Sequence, residues 1–208
     1  MSKKVLIESQ YLPSIEFFCA VADADEIIIE AEENFIKQTY RNRCYILGSN
    51  KVQTLIVPVE HKVKKMAEVR VNYNNKWWLE HWRSIEASYN RSPYMLYYGE
   101  ALQEILFGKY ERLIDLNGKL LTFCLEKLSN SARVTYTEKY ERNYTEGEIT
   151  DLRSQIVPKV EYAERGFYKP EPYFQQFGKA FVKNLSIIDL LMSMGPEASS
   201  VIMKSKLG

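Results

Sequence analysis

The residues of this chain that could do chemistry are most concentrated in residues 33–43. This stretch packs carboxylate, amide, hydroxyl and guanidinium groups between two apolar runs. Its cations have the charge to hold a phosphate or carboxylate through charge-assisted hydrogen bonds. We therefore predict a substrate-binding role for four residues: Lys37, Arg41, Asn42 and Arg43. The alternative is that the two arginines form a structural ion network with nearby carboxylates, namely Glu30, Glu32 and Glu33.

A second set of candidates lies on a predicted helix that begins near Trp77. Its core stripe is predicted from four residues that recur at helical spacing: Trp78, Trp82, Ile85 and Tyr89. A neighbouring flank of the helix consists of Trp77, His81, Ser84 and Ser88. A histidine among small residues leaves room for a ligand and titrates where acid–base chemistry is useful. His81 is thus the candidate general base, and Trp77 a candidate binding residue. The alternative is a structural histidine at the edge of the core.

Near the C-terminus, residues 185–197 have a structural explanation. Ser186 and Asp189 fit a capping box, and Gly195 fits a helix end before Pro196. Upstream, residues 172–177 carry aromatic and amide groups that can stack and hydrogen-bond. Gln175 is the candidate of this segment for orienting a substrate.

The elements that must position these groups start with a strand at residues 5–7, a helix from about residue 13, and a strand at residues 27–29. This length suits a βαβ unit with parallel strands. Ligands of open α/β sheets bind beyond the carboxyl ends of the strands. Gln10 and Tyr11 follow the first strand, and we expect them to share one cleft with the polar residues after the second.

The rest of the chain predicts further strands, helices and one long polar segment. The expected fold class is α/β, with an N-terminal βαβ unit in a small mixed sheet, a helical elaboration, and a polar loop or lid. We expect one domain over residues 1–208, divided into an α/β core (1–75), a helical region (76–130), and a late strand, lid and C-terminal helix (131–208). The elements after the βαβ unit are a hairpin at 44–57, strands at 68–71 and 132–136, helices over 77–130, a loop at 140–172 and a helix at 186–194.

Composition limits the function classes. A formal net charge of +1 gives no global attraction to nucleic acid or anionic lipid, so we expect no nucleic-acid partner. Two distant histidines and three scattered cysteines lack metal-ligand spacing, so no metal is indicated. The common phosphate-binding glycine motifs are absent, and the cofactor is unknown. His61 is expected on a solvated loop. The cysteines are expected to be reduced and buried. No apolar run is long enough for a signal peptide core or a membrane span. Together these features predict a soluble cytoplasmic protein.

Six groups of residues resemble, in order and spacing, the WbqC-like family. They are residues 11–13, 40–43, Trp77 with His81 and Trp82, 89–93, 172–175 and 184–191. Many members open with His-Gln-Pro-x-Tyr-Leu-Pro-Trp, whereas this chain has Ile7, Glu8 and Ser9 at the first three positions and Ser14 at the last. It therefore resembles a divergent, Bacteroides-type branch. The resemblance implies a bacterial protein encoded among genes for O-antigen and other surface polysaccharides, where acyl or aminoacyl transfer to sugars has been suggested.

These observations lead to two hypotheses. The first is a cytoplasmic transferase with a small-molecule partner, an activated sugar or an acyl donor. In it the cations hold an anionic group, His81 acts as base, and Gln10, Tyr11 and Gln175 orient the substrate. The second is a non-enzymatic binding or scaffold protein of a glycan-synthesis cluster, with a tyrosine-rich interface. The donor, the acceptor and the oligomeric state do not follow from the sequence.

Overall fold

A computed structural model describes residues 2–60, 64–144, 147 and 149–207 of the chain. The strands are β1 (Lys4–Glu8), β2 (Glu26–Glu30), β3 (Arg43–Leu47), β4 (Val52–Ile56), β5 (Arg133–Tyr136) and β6 (Thr150–Asp151). The α-helices are α1 (Ile15–Ala20), α2 (Trp77–Tyr89), α3 (Met95–Phe107), α4 (Leu113–Lys127), α5 (Ile187–Met194) and α6 (Ala198–Ser205). His61 lies outside the described residues.

Four parallel strands form the main sheet, in the order β5-β2-β1-β6. β1 and β2 pair in register, with Leu6 opposite Ile28, and α1 connects them. Uninterrupted apolar residues such as Leu6 and Ile27 are fully buried, as expected for a parallel sheet covered on both faces. The α/β class and the N-terminal βαβ unit are confirmed.

The hairpin β3–β4 forms a separate antiparallel sheet, with Cys44 opposite Leu55. The parallel and antiparallel pairings predicted from the sequence therefore occur in two sheets. Side chains from the strands and from α1 to α6 pack into one cluster of buried hydrophobic residues. The division into three regions within one domain stays a prediction.

Local expectations differ from the structure in two strands. Residues 68–71 were expected to be a strand, but Met66–Glu68 is a 3₁₀ turn, and Arg70 and Val71 make isolated bridges to Arg112 and Val59. The expected long loop contains β6, which pairs with β1 through Val5 and Leu6. A two-residue strand has too few residues to show an alternating pattern, so only its partner strand defines it.

The buried face of α2 is also not the one expected. Trp77 is 2% exposed and His81 5% exposed, whereas Trp78 and Trp82 are half-buried. The core stripe therefore includes the residues that the spacing placed on a flank. Both stripes include an aromatic residue at the start of the helix, so periodicity alone could not decide between them.

The capping box predicted at the start of α5 is wrong. The Ser186 side chain makes no cap hydrogen bond; its Oγ donates to the Leu12 carbonyl at 2.8 Å. Asp189 instead accepts hydrogen bonds from distant side chains. Beyond α5, Gly195–Glu197 forms a 3₁₀ turn that leads into α6, a helix the sequence analysis did not predict. Among the described residues, no helix is long and apolar enough to cross a membrane.

Candidate functional site

A cleft of about 680 Å³ lies at the carboxyl edge of the parallel sheet, around the segments that follow β2, β5 and β6. Its lining is almost entirely polar or charged: Glu32, Glu33, Asn34, Ile36, Tyr140, Arg142, Asp151, Arg153, Ser154 and Gln155. Parallel strands all end at this edge, so backbone topology brings together segments more than a hundred residues apart. The cleft is the main candidate site.

Arg41 and Glu33 form a buried ion pair at its base. The Arg41 Nε and Nη2 atoms donate to the two Glu33 carboxylate oxygens at 2.7 and 2.6 Å, a bidentate arrangement. Arg41 is fully buried. Its guanidinium also donates to the hydroxyls of Thr39 and Ser154, at 3.3 and 3.2 Å. The pairing is the one anticipated in the structural alternative, and it leaves no guanidinium edge open to the cleft.

Burial raises the pKa of the Glu33 carboxyl despite the opposing Arg41 pair, and the neighbouring carboxylates of Glu8 and Glu30 add repulsion. This cluster holds three carboxylates in a region where water does not screen them. The carboxylates of Glu8 and Glu30 are 1% and 0% exposed, so each depends on hydrogen bonds for compensation.

Glu8 links β1 to the loop after β6. Its Oε2 accepts from the Ser154 backbone N–H at 2.8 Å, and its Oε1 accepts from Gln10 Nε2 at 2.8 Å. Ser154 has a φ of 58°, in the left-handed region that disfavours side chains with a Cβ. The contacts from Glu8 and Arg41 hold the residue in this conformation. Gln10 and Arg41 therefore belong to one hydrogen-bonded network, connected through Glu8 and Ser154.

Arg153 organises the other wall of the cleft. Its guanidinium contacts the carboxylates of Glu30 at 2.9 Å and Asp151 at 2.6 Å. It also lies near the rings of Tyr140 and Tyr144, 4.9 and 5.3 Å from their centroids. Burial opposes ionisation of Asp151, but the hydrogen bonds from Arg153 prevail and lower the pKa of that carboxyl. These contacts fix the polypeptide that follows β5 against the sheet edge.

His81 lies in the interior, where its Nδ1 is 2.9 Å from the Tyr11 hydroxyl. Trp77 packs edge-on against the imidazole, with ring centroids 5.0 Å apart. Burial lowers the pKa of His81 to about 4, against a weaker opposing effect of the Ile56 carbonyl. The ring is therefore neutral at pH 7. A tyrosine hydroxyl can both donate and accept, so Tyr11 can pair with Nδ1 in either neutral tautomer of the ring.

Asp189 is the centre of a second buried polar cluster. Its carboxylate accepts from the hydroxyls of Tyr89 at 3.0 Å and Tyr173 at 2.6 Å, and from Gln175 Nε2 at 3.1 Å. Burial raises the pKa of the Asp189 carboxyl in spite of these three donors. Gln175 also exchanges two hydrogen bonds with the backbone of Val182. The cluster thus ties the segment after residue 172 to α2 and α5.

The structure separates the predicted site residues into three locations. Gln10 and Arg41 belong to the cleft network, Tyr11, Trp77 and His81 to the interior cluster, and Gln175 to the Asp189 cluster. Lys37 is exposed. Asn42 is buried and donates to the Val57 carbonyl at 2.8 Å, and Arg43 is half-buried on β3. Their binding and catalytic roles stay predictions; for His81, a base role requires that the pair with Tyr11 open.

Sequence reasoning did not single out the residues that complete the cleft from the long loop. Arg142, Arg153 and Ser154 lie in a polar segment with no periodic pattern, and β6 is too short to reveal that this segment returns to the sheet. Glu8 offered one signal, because a carboxylate directly after a buried apolar run must find compensation. Asn117, on α4, donates to the Ser9 hydroxyl and to the Arg41 carbonyl at 3.0 and 2.9 Å, a role that only the tertiary structure shows.

Comparison with known proteins places this arrangement in a family. The sequence model of the WbqC-like protein family matches residues 8–165 and 159–201. The chain belongs to the WbqC-like protein family. The match runs from the last residue of β1 through α5 and so includes the carboxyl-edge cleft and the Asp189 cluster.

The chain is also similar to one uncharacterized protein over nearly its whole length. The uncharacterized protein Rv1507c of Mycobacterium tuberculosis is 26% identical over 228 aligned residues, which cover 95% of this chain and 96% of that protein. No solved structure matches the chain.

Proposed function

We propose that this WbqC-like protein is a transferase that moves an acyl or aminoacyl group onto an activated sugar in surface polysaccharide synthesis. The observation that carries the proposal is the polar cleft of about 680 Å³ at the carboxyl edge of the parallel sheet. Its volume lies in the range of small-molecule sites, and its position is the one where open α/β folds bind ligands. The setting of the resembled family supports a glycan substrate.

The base and rim of the cleft have different properties. At the base, Arg41 and Arg153 are fixed by buried carboxylates, so these groups shape the cleft and keep it rigid. At the rim, Tyr140 is 55% exposed and Arg142 is exposed. Within the described residues, the Arg142 guanidinium has no ion-pair partner. Arg142 is therefore the cation we assign to the phosphates of the activated sugar.

The transfer itself requires a nucleophile from the sugar and a proton acceptor. A sugar hydroxyl or amino group attacks the acyl carbonyl of the donor, its proton passes to a base, and the donor's leaving group departs. The base role of His81 stays a proposal from the sequence, but His81 lies in the interior cluster and does not line the cleft, so it could serve there only after the pair with Tyr11 opens. Glu33 is the second candidate for the base, because its carboxylate lines the cleft and burial raises its pKa.

The test is a melting-temperature screen with three ligand panels: nucleotide sugars, acyl-coenzyme A thioesters and aminoacyl donors. We expect a nucleotide sugar to raise the melting temperature of the wild type, since a ligand that binds only the folded state stabilises it. Arg142→Ala is expected to abolish that shift and to leave the melting temperature without ligand nearly unchanged. Arg83→Ala is the matched control, because Arg83 is an exposed arginine on α2, away from the cleft lining.

Two results would contradict the proposal. The first is the absence of a melting shift from every nucleotide sugar. The second is a shift that Arg142→Ala and Arg83→Ala reduce equally, since this would show a diffuse electrostatic effect. A positive screen is followed by an assay for transfer between the best sugar and each acyl or aminoacyl donor, with the acylated sugar detected by mass spectrometry.

A binding or scaffold protein is the second candidate, and the surface of α3 favours it. Leu96 and Tyr97 are 86% and 71% exposed, next to each other in the first turn of the helix. Large exposed apolar side chains in one patch are typical of protein interfaces. This candidate predicts sugar binding without turnover in the transfer assay, together with loss of a partner complex in Leu96→Glu.

A further inference from the structure

A second, much smaller cavity lies at the same sheet edge, between the end of β1, the end of β5 and α4. The gaps between its lining residues are too narrow for a water molecule in this conformation. Its polar lining comes from Ser9, Gln10 and Asn117, and its remaining walls include Phe17 and Leu121. Among its lining side chains none carries a charge at pH 7.

Two buried amide oxygens at this cavity have no hydrogen-bond partner. Gln10 is 3% exposed and Asn117 is 1% exposed, and both Gln10 Oε1 and Asn117 Oδ1 are unpaired. The nitrogen of each amide is engaged, Gln10 Nε2 with Glu8 and Asn117 Nδ2 with Ser9 and the Arg41 carbonyl. Turning either amide by 180° would break the hydrogen bonds of its nitrogen and leave more polar atoms unpaired than there are now. A buried acceptor without a partner is destabilising, and native proteins rarely keep two at one place without use.

We propose that Gln10, Asn117 and Ser9 form a subsite for a neutral hydroxyl-bearing part of the ligand. The two amide oxygens accept hydrogen bonds from O–H groups, and the Ser9 hydroxyl donates to an oxygen of the ligand. An ammonium group is disfavoured because the cavity has apolar walls and no lining carboxylate to compensate a buried charge. The identity of the bound group as a hydroxyl of the activated sugar rests on the proposed function.

The proposed cover of the cavity is Tyr136. Tyr136, at the end of β5, lines the cavity and is 45% exposed. A Cβ added to Gly118 on α4 would lie 2.3 Å from the Tyr136 hydroxyl. Because the hydroxyl is the far end of a side chain that can rotate, Gly118→Ala displaces the ring and leaves the backbone in place. Rotation of Tyr136 opens the subsite, and Gly118 provides the room that lets the ring close again.

The test is an NMR titration of the ¹⁵N-labelled side-chain amides with ethylene glycol. The matched probe is 1,2-dimethoxyethane, which has two oxygens at the same spacing but no O–H group. We expect ethylene glycol to shift the Asn117 amide signals with a saturable curve, and 1,2-dimethoxyethane to cause no saturable shift. In Gly118→Ala, where the tyrosine ring is displaced, ethylene glycol is expected to bind severalfold more tightly.

Gln10→Met keeps the size of the side chain and removes both the Oε1 acceptor and the Nε2 donor to Glu8, so its unfolding free energy is measured alongside to confirm that it folds. It is expected to weaken ethylene glycol binding, read at Asn117, about fivefold, the effect of one net hydrogen bond. Gln103→Met, at a half-buried glutamine of α3, is the control and should leave the curve unchanged. Each of three results would overturn the subsite. The first is an equal response to both probes, and the second is a linear curve in both wild type and Gly118→Ala. The third is a Gln10→Met curve identical to that of the wild type. The Arg142-dependent melting shift is measured separately, so failure of the subsite leaves the transferase proposal intact, and the reverse also holds.

Discussion

The buried pair of His81 and Tyr11 makes stability depend on pH in a way that one substitution can isolate. In the folded protein, burial lowers the pKa of His81 to about 4 from its ordinary value of 6.5. The unfolded chain therefore takes up a proton at a pH where the folded protein does not. Stability is complete above about pH 6.5 and is lost as the pH falls through the interval between the two pKa values.

The magnitude follows from that interval. Each pKa unit corresponds to about 1.4 kcal/mol, so the full effect is roughly 3 kcal/mol, of which about 2 kcal/mol is lost between pH 7 and pH 5. His81→Gln carries no titrating group at this position. At pH 7 it should be less stable than the wild type by about 1–3 kcal/mol, because the buried Tyr11 hydroxyl loses its imidazole partner. At pH 5 that deficit should shrink by about 2 kcal/mol.

The assay is urea unfolding of both proteins at intervals between pH 4.5 and pH 7.5, with the difference in unfolding free energy plotted against pH. Groups common to both proteins, including the second histidine, His61, cancel in the difference. A difference that stays constant between pH 7 and pH 5 would refute the burial argument. A His81→Gln variant that is as stable as the wild type at pH 7 and binds a nucleotide sugar without turnover would instead support the base role.

Other substitutions test the remaining clusters by urea unfolding. Arg41→Ala is expected to cost about 3–5 kcal/mol because it leaves a buried carboxylate unpaired; a cost below about 1 kcal/mol would show that the pair is solvated. Tyr173→Phe should cost about 1.5–3 kcal/mol at pH 7 because Asp189 loses a donor at 2.6 Å. The pKa of Asp189 is raised in the folded protein above its ordinary value of 3.8, so the folded state binds more protons than the unfolded state above that pH. The free energy of unfolding should therefore fall as the pH rises above 3.8, and it should fall more steeply in Tyr173→Phe. An unchanged slope would contradict this. Trp77→Ala should cost about 3–5 kcal/mol and Trp78→Ala clearly less, since only the first ring is fully buried; equal losses would contradict the observed helix face.

Several parts of the fold could be predicted because local pattern and tertiary role agree. Short apolar runs around Leu6 and Ile28 predict buried strands, and the distance between them predicts a parallel βαβ unit. The same reasoning placed Gln10 and Arg41 at one sheet edge, where a hydrogen-bonded network connects them through Glu8 and Ser154. The residues and motifs that resemble the WbqC-like family led to the correct family.

Other features depend on partners that are distant in sequence, and no local pattern encodes them. β6 exists only because Thr150 and Asp151 meet β1, and Asp189 looks like a helix-capping residue until Tyr89 and Tyr173 are seen to donate to it. The choice between Trp77 and Trp78 as the core residue of α2 depends on how the helix is rotated against the sheet. The sequence by itself determined the α/β class and the parallel βαβ strands through hydrophobic period, and the family through the resemblance of its motifs. Only the tertiary structure decided which charges pair, which faces are buried and where the cleft opens, because burial and electrostatic compensation depend on long-range packing.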